Sequence, residues 1–428
     1  MKITFGTDGW RGLLGSEMNE RSVSIVAQAF SDYLTETKPS DCLRVAIGFD
    51  GRENSKSFAS LLANVLSANG IRVFLSGEVV PTPVVSYFVK ARALDAGVMI
   101  TASHNPPSYN GIKFKASYGG PFLTEETLNV ESRIGKNRVK ESHGRLEVHN
   151  FLEIYKEHVQ EMVSFETIRK AGLKILIDSM GGAGQRILEE MLREYGIEAR
   201  TISQEAKPDF LGRSPEPIEQ NLAPLQAAIQ HEDYALGLAT DGDADRLGVV
   251  QETGQWLSAQ ETIVLLTEFT LFSQKQEGHI VKTSSVTDKI RRFENERRKV
   301  IEVPVGFKYI AEKMIEENVA IGCEESGGYG FKRHIPERDG LLSGLFMAQM
   351  LAESGHTRLS EWVKEKRQKI GEIHYDRIDY VYSRSDRTER LPLLAKEIPK
   401  NVCRLEVSHF LTYLDSHGQV NGLKMIFK

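Results

Sequence analysis

Four short stretches of this 428-residue chain hold residue types at spacings that chemistry could use. In Asp241-Gly242-Asp243-Ala244-Asp245-Arg246, three alternate carboxylates lie between the apolar runs 235–239 and 247–250. Like charges converging in an apolar setting repel unless a cation is held among them. Hard oxygen ligands with phosphate nearby favour Mg²⁺. Glu252 falls twelfth from Asp241, as in an EF-hand, but Arg246 fills the sixth position, where that loop needs glycine. A solvated acidic turn is the plain alternative. The second stretch, Thr101-Ala102-Ser103-His104-Asn105-Pro106-Pro107, follows the apolar run 96–100, so Ser103 sits where a strand hands over to a loop. Open α/β sheets bind ligands at the carboxyl ends of their strands. A serine there can be a covalent nucleophile or phosphate carrier, with His104 adjacent and Lys113 just after the Asn110-Gly111 turn. An isolated Ser-His pair before Asn-Pro also reads as an ordinary turn. Gly322-Cys323-Glu324-Glu325-Ser326-Gly327-Gly328 offers carboxylate and hydroxyl acceptors of the kind that bind sugar hydroxyls, or else is a simple βα turn. Gly6-Thr7-Asp8-Gly9-Trp10-Arg11-Gly12 puts an arginine, suited to bidentate phosphate contact, on a glycine-flexed loop, a weak signal when taken singly. The glycine turn 181–184 lacks the lysine and hydroxyl of a P-loop and reads as structural.

These loops need elements to aim them. A β-prone run at 43–47, helical spacing through Phe58, Leu61, Leu62, Val65 and Leu66, a stop at Gly70 and a second run at 73–75 make one βαβ unit. The pattern returns at 174–178, with a helix through Ile187, Leu188, Met191, Leu192 and Tyr195. A third copy begins at Ile280-Val281, with a polar helix expected over 287–297, a strand over 300–305 and a helix over 307–315. Three such copies imply three α/β domains with mixed, largely parallel sheets. Charge-rich and turn-rich stretches put the domains at 1–140, 150–252 and 253–370, with a partial α+β fourth domain over 371–428. In that last part the alternation Ile373, Tyr375, Ile378, Tyr380, Tyr382 reads as a strand, 391–396 as a helix and 423–427 as a strand.

Composition excludes several function classes. Hydrophobic residues at 40% and charged residues at 26% are ordinary globular usage, which rules out a mainly disordered chain. Lys plus Arg at 54 against Asp plus Glu at 59, a net charge of −5, gives no basic field for nucleic acid or anionic membrane. Cys42, Cys323 and Cys403 match no paired-thiol or zinc spacing, and no apolar run or leader pattern is visible near Met1, so a cytoplasmic location is expected.

Together the four loops, in order and spacing, resemble the α-D-phosphohexomutase superfamily of phosphoglucomutases and phosphomannomutases. Lesser matches are Asp50-Gly51-Arg52, Asn110-Gly111-Ile112-Lys113, Gly306-Phe307-Lys308 and Arg338-Asp339-Gly340. The resemblance implies three similar α/β domains and an unlike fourth around a central cleft. It implies a phosphoserine at Ser103 that exchanges its phosphoryl group with a sugar phosphate through a bisphosphate. It implies Mg²⁺ on Asp241, Asp243, Asp245 and a phosphoserine oxygen, Lys113 as acid/base with Arg11 beside it, and His104 and Arg246 steadying the phosphoryl group. Glu324 and Ser326 would hold sugar hydroxyls, and Lys308, Lys332 and Arg338 would help bind substrate. Glucose 1,6-bisphosphate is expected as activator, and the protein as a monomer or homodimer. Gly328 in place of a histidine common in dual-specific members points to phosphoglucomutase, with phosphomannomutase as alternative. Trp10 and Glu325 differ from the isoleucine and glutamine usual in phosphoglucosamine mutases. The family's Arg-Ser-Gly-Thr-Glu-Pro phosphate loop is not matched up to Lys428, and Arg384-Ser385-Asp386-Arg387-Thr388-Glu389, similar in composition, reads as a solvated turn. Weakened substrate grip, a truncated mutase or phosphatase activity, and a binding protein that keeps the fold are the expectations attached to that difference.

Overall fold

The computed structural model describes residues 3–6, 8–38, 42–141, 146–380, 386–414 and 418–428. The first sheet runs, edge to edge, Trp10–Leu13, Tyr109–Ala116, Ala96–Ile100, Arg44–Phe49, Arg72–Ser76 and Glu147–His149. Its last three pairings are parallel, whereas Tyr109–Ala116 is antiparallel to both of its neighbours. Glu147–His149 thus joins the first sheet from beyond residue 140. The second sheet orders Trp256–Leu257, Leu247–Gln251, Leu236–Thr240, Lys174–Asp178 and Glu198–Ile202. The third orders Val300–Val303, His279–Thr283, Val319–Cys323 and Tyr329–Phe331. In each of these sheets parallel pairs give way to antiparallel pairing at one side: two antiparallel pairings in the first and second sheets and one in the third. Central strands such as Ala96–Ile100, Leu236–Thr240 and Val319–Cys323 are buried at every position, as parallel strands covered on both faces must be.

Besides a cluster of its own, each unit contributes to one shared core. Helix Gly340–Ser354 follows the third sheet but packs on the second, against Leu236–Thr240, Leu247–Gln251 and helix Phe165–Ala171. It is apolar nearly all round and buried from Gly340 to Leu351, the pattern of a helix enclosed on all sides. One hydrophobic cluster accordingly runs from Val84 and Phe88 through Leu188 and Leu238 to Ile321 and Leu345.

A small antiparallel sheet, Asn401–Val402, Leu405–Leu414 and Val420–Phe427, with helix Arg387–Lys396, makes up the fourth part. The strand expected over 373–382 does not form: 373–380 have no regular structure, and Tyr382 lies outside the described residues. Alternation specifies a strand only where a free sheet edge accepts it, and here Ile378 is 87% exposed. Arg384 and Ser385 also lie outside the described residues. The helix expected over 287–297 is a single 3-10 stretch, Asp288–Phe293, with Ile290 its one buried residue. The following Arg297-Arg298-Lys299 run brings like charges and no apolar stripe to extend it. Among the described residues no helix is long and apolar enough to cross a membrane.

Candidate active site

Three of the four loops are the same piece of the repeated unit. The Ser103 loop joins Ala96–Ile100 to Tyr109–Ala116, the Asp241 loop joins Leu236–Thr240 to Leu247–Gln251, and the Glu324 loop joins Val319–Cys323 to Tyr329–Phe331, each pair antiparallel. Each loop leaves the carboxyl end of a buried central strand, so the fold aims all three into one cleft.

Ser103 is buried and held in the left-handed region, φ +53°, a strain on the order of 1 kcal/mol for a residue with a Cβ. Its N–H donates to Thr101 Oγ1 at 2.8 Å and its Oγ donates to Asp241 Oδ2 at 3.0 Å. Gly242 makes this approach possible, because a Cβ there would stand 2.4 Å from the Ser103 carbonyl oxygen. His104 Nδ1 lies 3.4 Å from Ser103 Oγ. Burial first, then Arg246 and Arg11, hold its imidazole well below the ordinary value, so it is neutral.

Asp241, Asp243 and Asp245 are fully buried and each presents a carboxylate oxygen within 4.8 Å of the others. Asp241 Oδ1 accepts the N–H groups of Asp245 and Arg246 at 2.9 and 3.1 Å, which folds the loop around it. Burial, then the charges of Asp245 and Asp243, push the Asp241 carboxyl well above its usual range. Oδ1 of Asp243 and Oδ1 of Asp245 are buried without a hydrogen-bond partner. Orphaned carboxylate oxygens on a like-charged trio fit a hard divalent cation.

Lys113 Nζ reaches Asp243 Oδ2 at 2.8 Å, Asp8 Oδ2 at 3.0 Å and Asp245 Oδ2 at 3.2 Å. Burial works against its charge, but these carboxylates outweigh it and raise the ammonium above its ordinary value. Lys113 and Thr82, whose Oγ1 donates at 2.6 Å, in turn overcome the burial of Asp243 and hold that carboxyl low. Arg338 joins all three units: its Nη2 lies 2.5 Å from Asp8 Oδ2 and 2.9 Å from Asp245 Oδ2, and its Nη1 is 3.4 Å from Glu324 Oε2. Burial pushes the Glu324 carboxyl up to about 7 despite Arg338. The Asp241 and Glu324 loops are stitched by Leu247 N–H to Gly327 O at 2.9 Å and by a bridge from Arg246 to Gly328.

A cleft of about 570 Å³ is lined by Asp8, Arg11, His104, Arg246, Glu324, Ser326 and Arg338. Arg11 Nη1 donates to Asn105 Oδ1 at 2.7 Å, fixing the opening loop, whose Thr7 lies outside the described residues, on the Ser103 loop. Two sequence candidates are not among the residues that line this cleft. Lys332 is exposed and donates to the Glu277 carbonyl at 2.9 Å. Lys308 is buried beside the Tyr309 ring, whereas its neighbours Gly306 and Phe307 line the cleft. Conversely, the cleft contains Glu216, Arg377, Asp379 and Tyr413, which no motif singled out. Arg377 Nη1 donates to Glu216 Oε1 at 2.9 Å, and Arg246 reaches the same oxygen at 3.3 Å. Asp8 stood in a recognised motif without a role.

The cleft thus joins a buried serine on a carboxylate trio to arginines and a histidine held neutral by burial. Comparison with known proteins places the chain in a family. Residues 2–141, 153–254 and 259–370 match the phosphoglucomutase/phosphomannomutase α/β/α domains I, II and III. The chain belongs to this family of the α-D-phosphohexomutase superfamily. It is 32% identical over 378 residues to a probable phosphoglucosamine mutase of Methanobrevibacter smithii, covering 85% of this chain and 79% of the relative. It is 28% identical over 419 residues to a phosphoglucomutase of Komagataeibacter xylinus, covering 88% and 74%. The crystal structure of a putative phosphomannomutase from Thermus thermophilus superposes with a TM-score of 0.85 at 32% identity, covering 100% of this chain and 92% of that one.

Proposed function

We propose that the chain interconverts glucose 1-phosphate and glucose 6-phosphate through a phosphoserine at Ser103 and glucose 1,6-bisphosphate. The observation that carries this reading is Ser103 Oγ, 3.0 Å from Asp241 in a trio of buried carboxylates that Lys113 and Arg338 reach from the first and third units. Asp241, Asp243, Asp245 and an oxygen of the phosphorylated Ser103 would hold Mg²⁺, which neutralises charge on a transferring phosphoryl group.

The chain's own groups divide the remaining work. Lys113 is the acid/base group of this reading: the attacking sugar hydroxyl gives up its proton as its oxygen bonds to phosphorus, Ser103 Oγ takes one up as its own bond to phosphorus breaks, and that proton passes through the Lys113 amine, whose resting ammonium Asp243, Asp245 and Asp8 keep charged. Arg11, Arg246 and neutral His104 donate to phosphoryl oxygens at the mouth of the loop. Glu324 and Ser326 set the sugar's orientation through its hydroxyls. Gly328 supports the choice of glucose: a Cβ there would stand 2.5 Å from Arg338 Cδ, so the side chain of a dual-specific site has no room unless Arg338 moves.

Protein treated with glucose 1,6-bisphosphate should carry phosphate on the peptide containing Ser103, and Ser103→Ala should lose nearly all turnover. Phosphate found only elsewhere sinks the assignment. In the same assay glucose 1-phosphate should give a higher kcat/KM than mannose 1-phosphate or glucosamine 1-phosphate. Equal values for glucose and mannose would favour the dual-specific alternative.

A further inference from the structure

Outside the carboxylate trio, a single buried guanidinium organises the loop that carries Ser103. Arg52 follows the strand Arg44–Phe49, and its side chain is fully enclosed. Nη2 donates to the carbonyls of Ser103 and Asn105, both at 2.6 Å. Nη1 donates to the carbonyls of Pro106 and Tyr109 at 2.9 and 3.0 Å. Nε faces Asp50 Oδ2 at 3.2 Å, while Asp50 Oδ1 accepts the Arg52 N–H at 3.0 Å and the Ser55 hydroxyl at 2.6 Å. The Phe210 ring, from the second unit, covers the guanidinium with its centroid 4.6 Å away.

Balancing the charge of Asp50 needs one edge of a guanidinium. Here the other donors are all spent on carbonyls of a single seven-residue stretch, 103–109, and the strained residue in that stretch is Ser103 itself. Lysine could not reproduce this, because a planar fork of fixed donors is what spans four carbonyls at once. We propose that Arg52 is a positioning residue for phosphoryl transfer: it fixes the backbone of the Ser103 loop so that Oγ points at Asp241, and Phe210 ties that geometry to the docking of the second unit. The inference rests on the reading of Ser103 as the phosphoryl carrier.

The test is Arg52→Lys, with melting temperature, Ser103 phosphorylation by glucose 1,6-bisphosphate, kcat, KM and inorganic phosphate released per isomerisation all measured. Misplacing a reacting group by about 1 Å costs about 10²-fold in rate. The expected result is a folded protein with kcat lowered by about 10²-fold. KM should stay within about threefold, because Arg52 does not line the substrate cleft. More phosphate should leak to water per turnover. A folded variant with unchanged kcat and unchanged leakage overturns the proposal. If Arg52→Lys does not fold, Phe210→Leu decides: it leaves every guanidinium donor in place, and it should lower kcat at constant KM by a smaller factor, whereas an unchanged kcat overturns the proposal. Parent protein that takes no phosphate at Ser103 refutes the underlying reading instead, whatever the variants do.

Discussion

Asp243 divides its carboxylate between two tasks. Oδ2 is held by Lys113 and Thr82, whereas Oδ1 is buried without a hydrogen-bond partner. Asp243→Ala should therefore remove a cation ligand and release Lys113 together. Apparent Mg²⁺ affinity should fall by at least about 10²-fold, and kcat should fall with it, as read by Mg²⁺ titration of the rate. Full activity in chelator-treated parent protein would refute the metal site. Glu324 supplies a test by pH. Its carboxyl is raised from 4.5 to about 7 by burial, so the folded state binds that proton more tightly than the unfolded chain does. The stability this contributes is complete below pH 4.5 and is lost as pH rises through about 7. Glu324→Gln should consequently gain stability relative to the parent between pH 5 and 8, by up to about 3 kcal/mol. The same variant should lose a limb near pH 7 from the kcat/KM profile. Parallel stability curves for the two proteins would show that Glu324 titrates normally.

At the scale of elements, the site is one hairpin used three times, and the contacts between hairpins are closer than side chains permit. Gly242 meets the Ser103 carbonyl, and Gly327, at φ +88°, meets the Leu247 carbonyl 2.5 Å from where its Cβ would stand. Gly242→Ala should therefore destabilise the protein by about 1–3 kcal/mol and lower kcat by pushing Ser103 away from Asp241, measured by denaturant unfolding and steady-state rates. An Ala variant with parental stability and rate would mean the loops part freely. These hairpins were legible in the sequence because the strand leading into each loop is a nearly unbroken apolar run and the chemistry is packed into six or seven adjacent residues. In the fourth part the strand expected over 423–427 lies within Val420–Phe427, but its partner was not legible. Leu405–Leu414 pairs along its length but carries Glu406, Ser408 and His409 among its apolar residues, and the cleaner alternation at 373–380 found no sheet edge. Arg377 and Glu216 were invisible for a different reason. They stand 161 positions apart, so neither flank signals the other. Lys332, exposed and turned to the Glu277 carbonyl, shows that a basic residue near a motif says little about which way the fold turns it.

For the molecule as a whole, burial divides the chain more sharply than domain count does. One core crosses from the first unit to the third, and Arg338 bonds Asp8, Asp245 and Glu324, which stand on loops of three different units. Beyond residue 370, none of the described residues is buried. The fourth part is held to the third by polar contacts, in which Tyr413 donates to Glu302, Lys424 reaches the same carboxylate at 2.9 Å and Asp288 at 3.5 Å, and Lys282 lies 2.7 Å from Glu302. Such contacts are screened by salt and contribute little each at partly exposed positions. Local opening free energy follows buried apolar contact, so amides of 405–414 and 420–427 should exchange with solvent faster than those of the central strands 96–100, 236–240 and 319–323. Raising ionic strength should widen the gap. Tyr413 and Gly422 nevertheless line the cleft beside Glu324 and Arg338, so a phosphosugar seated there would touch both sides of this weak joint. A ligand that binds the closed form alone stabilises it by mass action. Glucose 1,6-bisphosphate at saturating concentration should therefore slow exchange in 405–414 and 420–427 more than in the central strands, measured by hydrogen exchange with and without the ligand. Slowing confined to the Ser103 and Asp241 loops would mean that the fourth part takes no share in holding substrate.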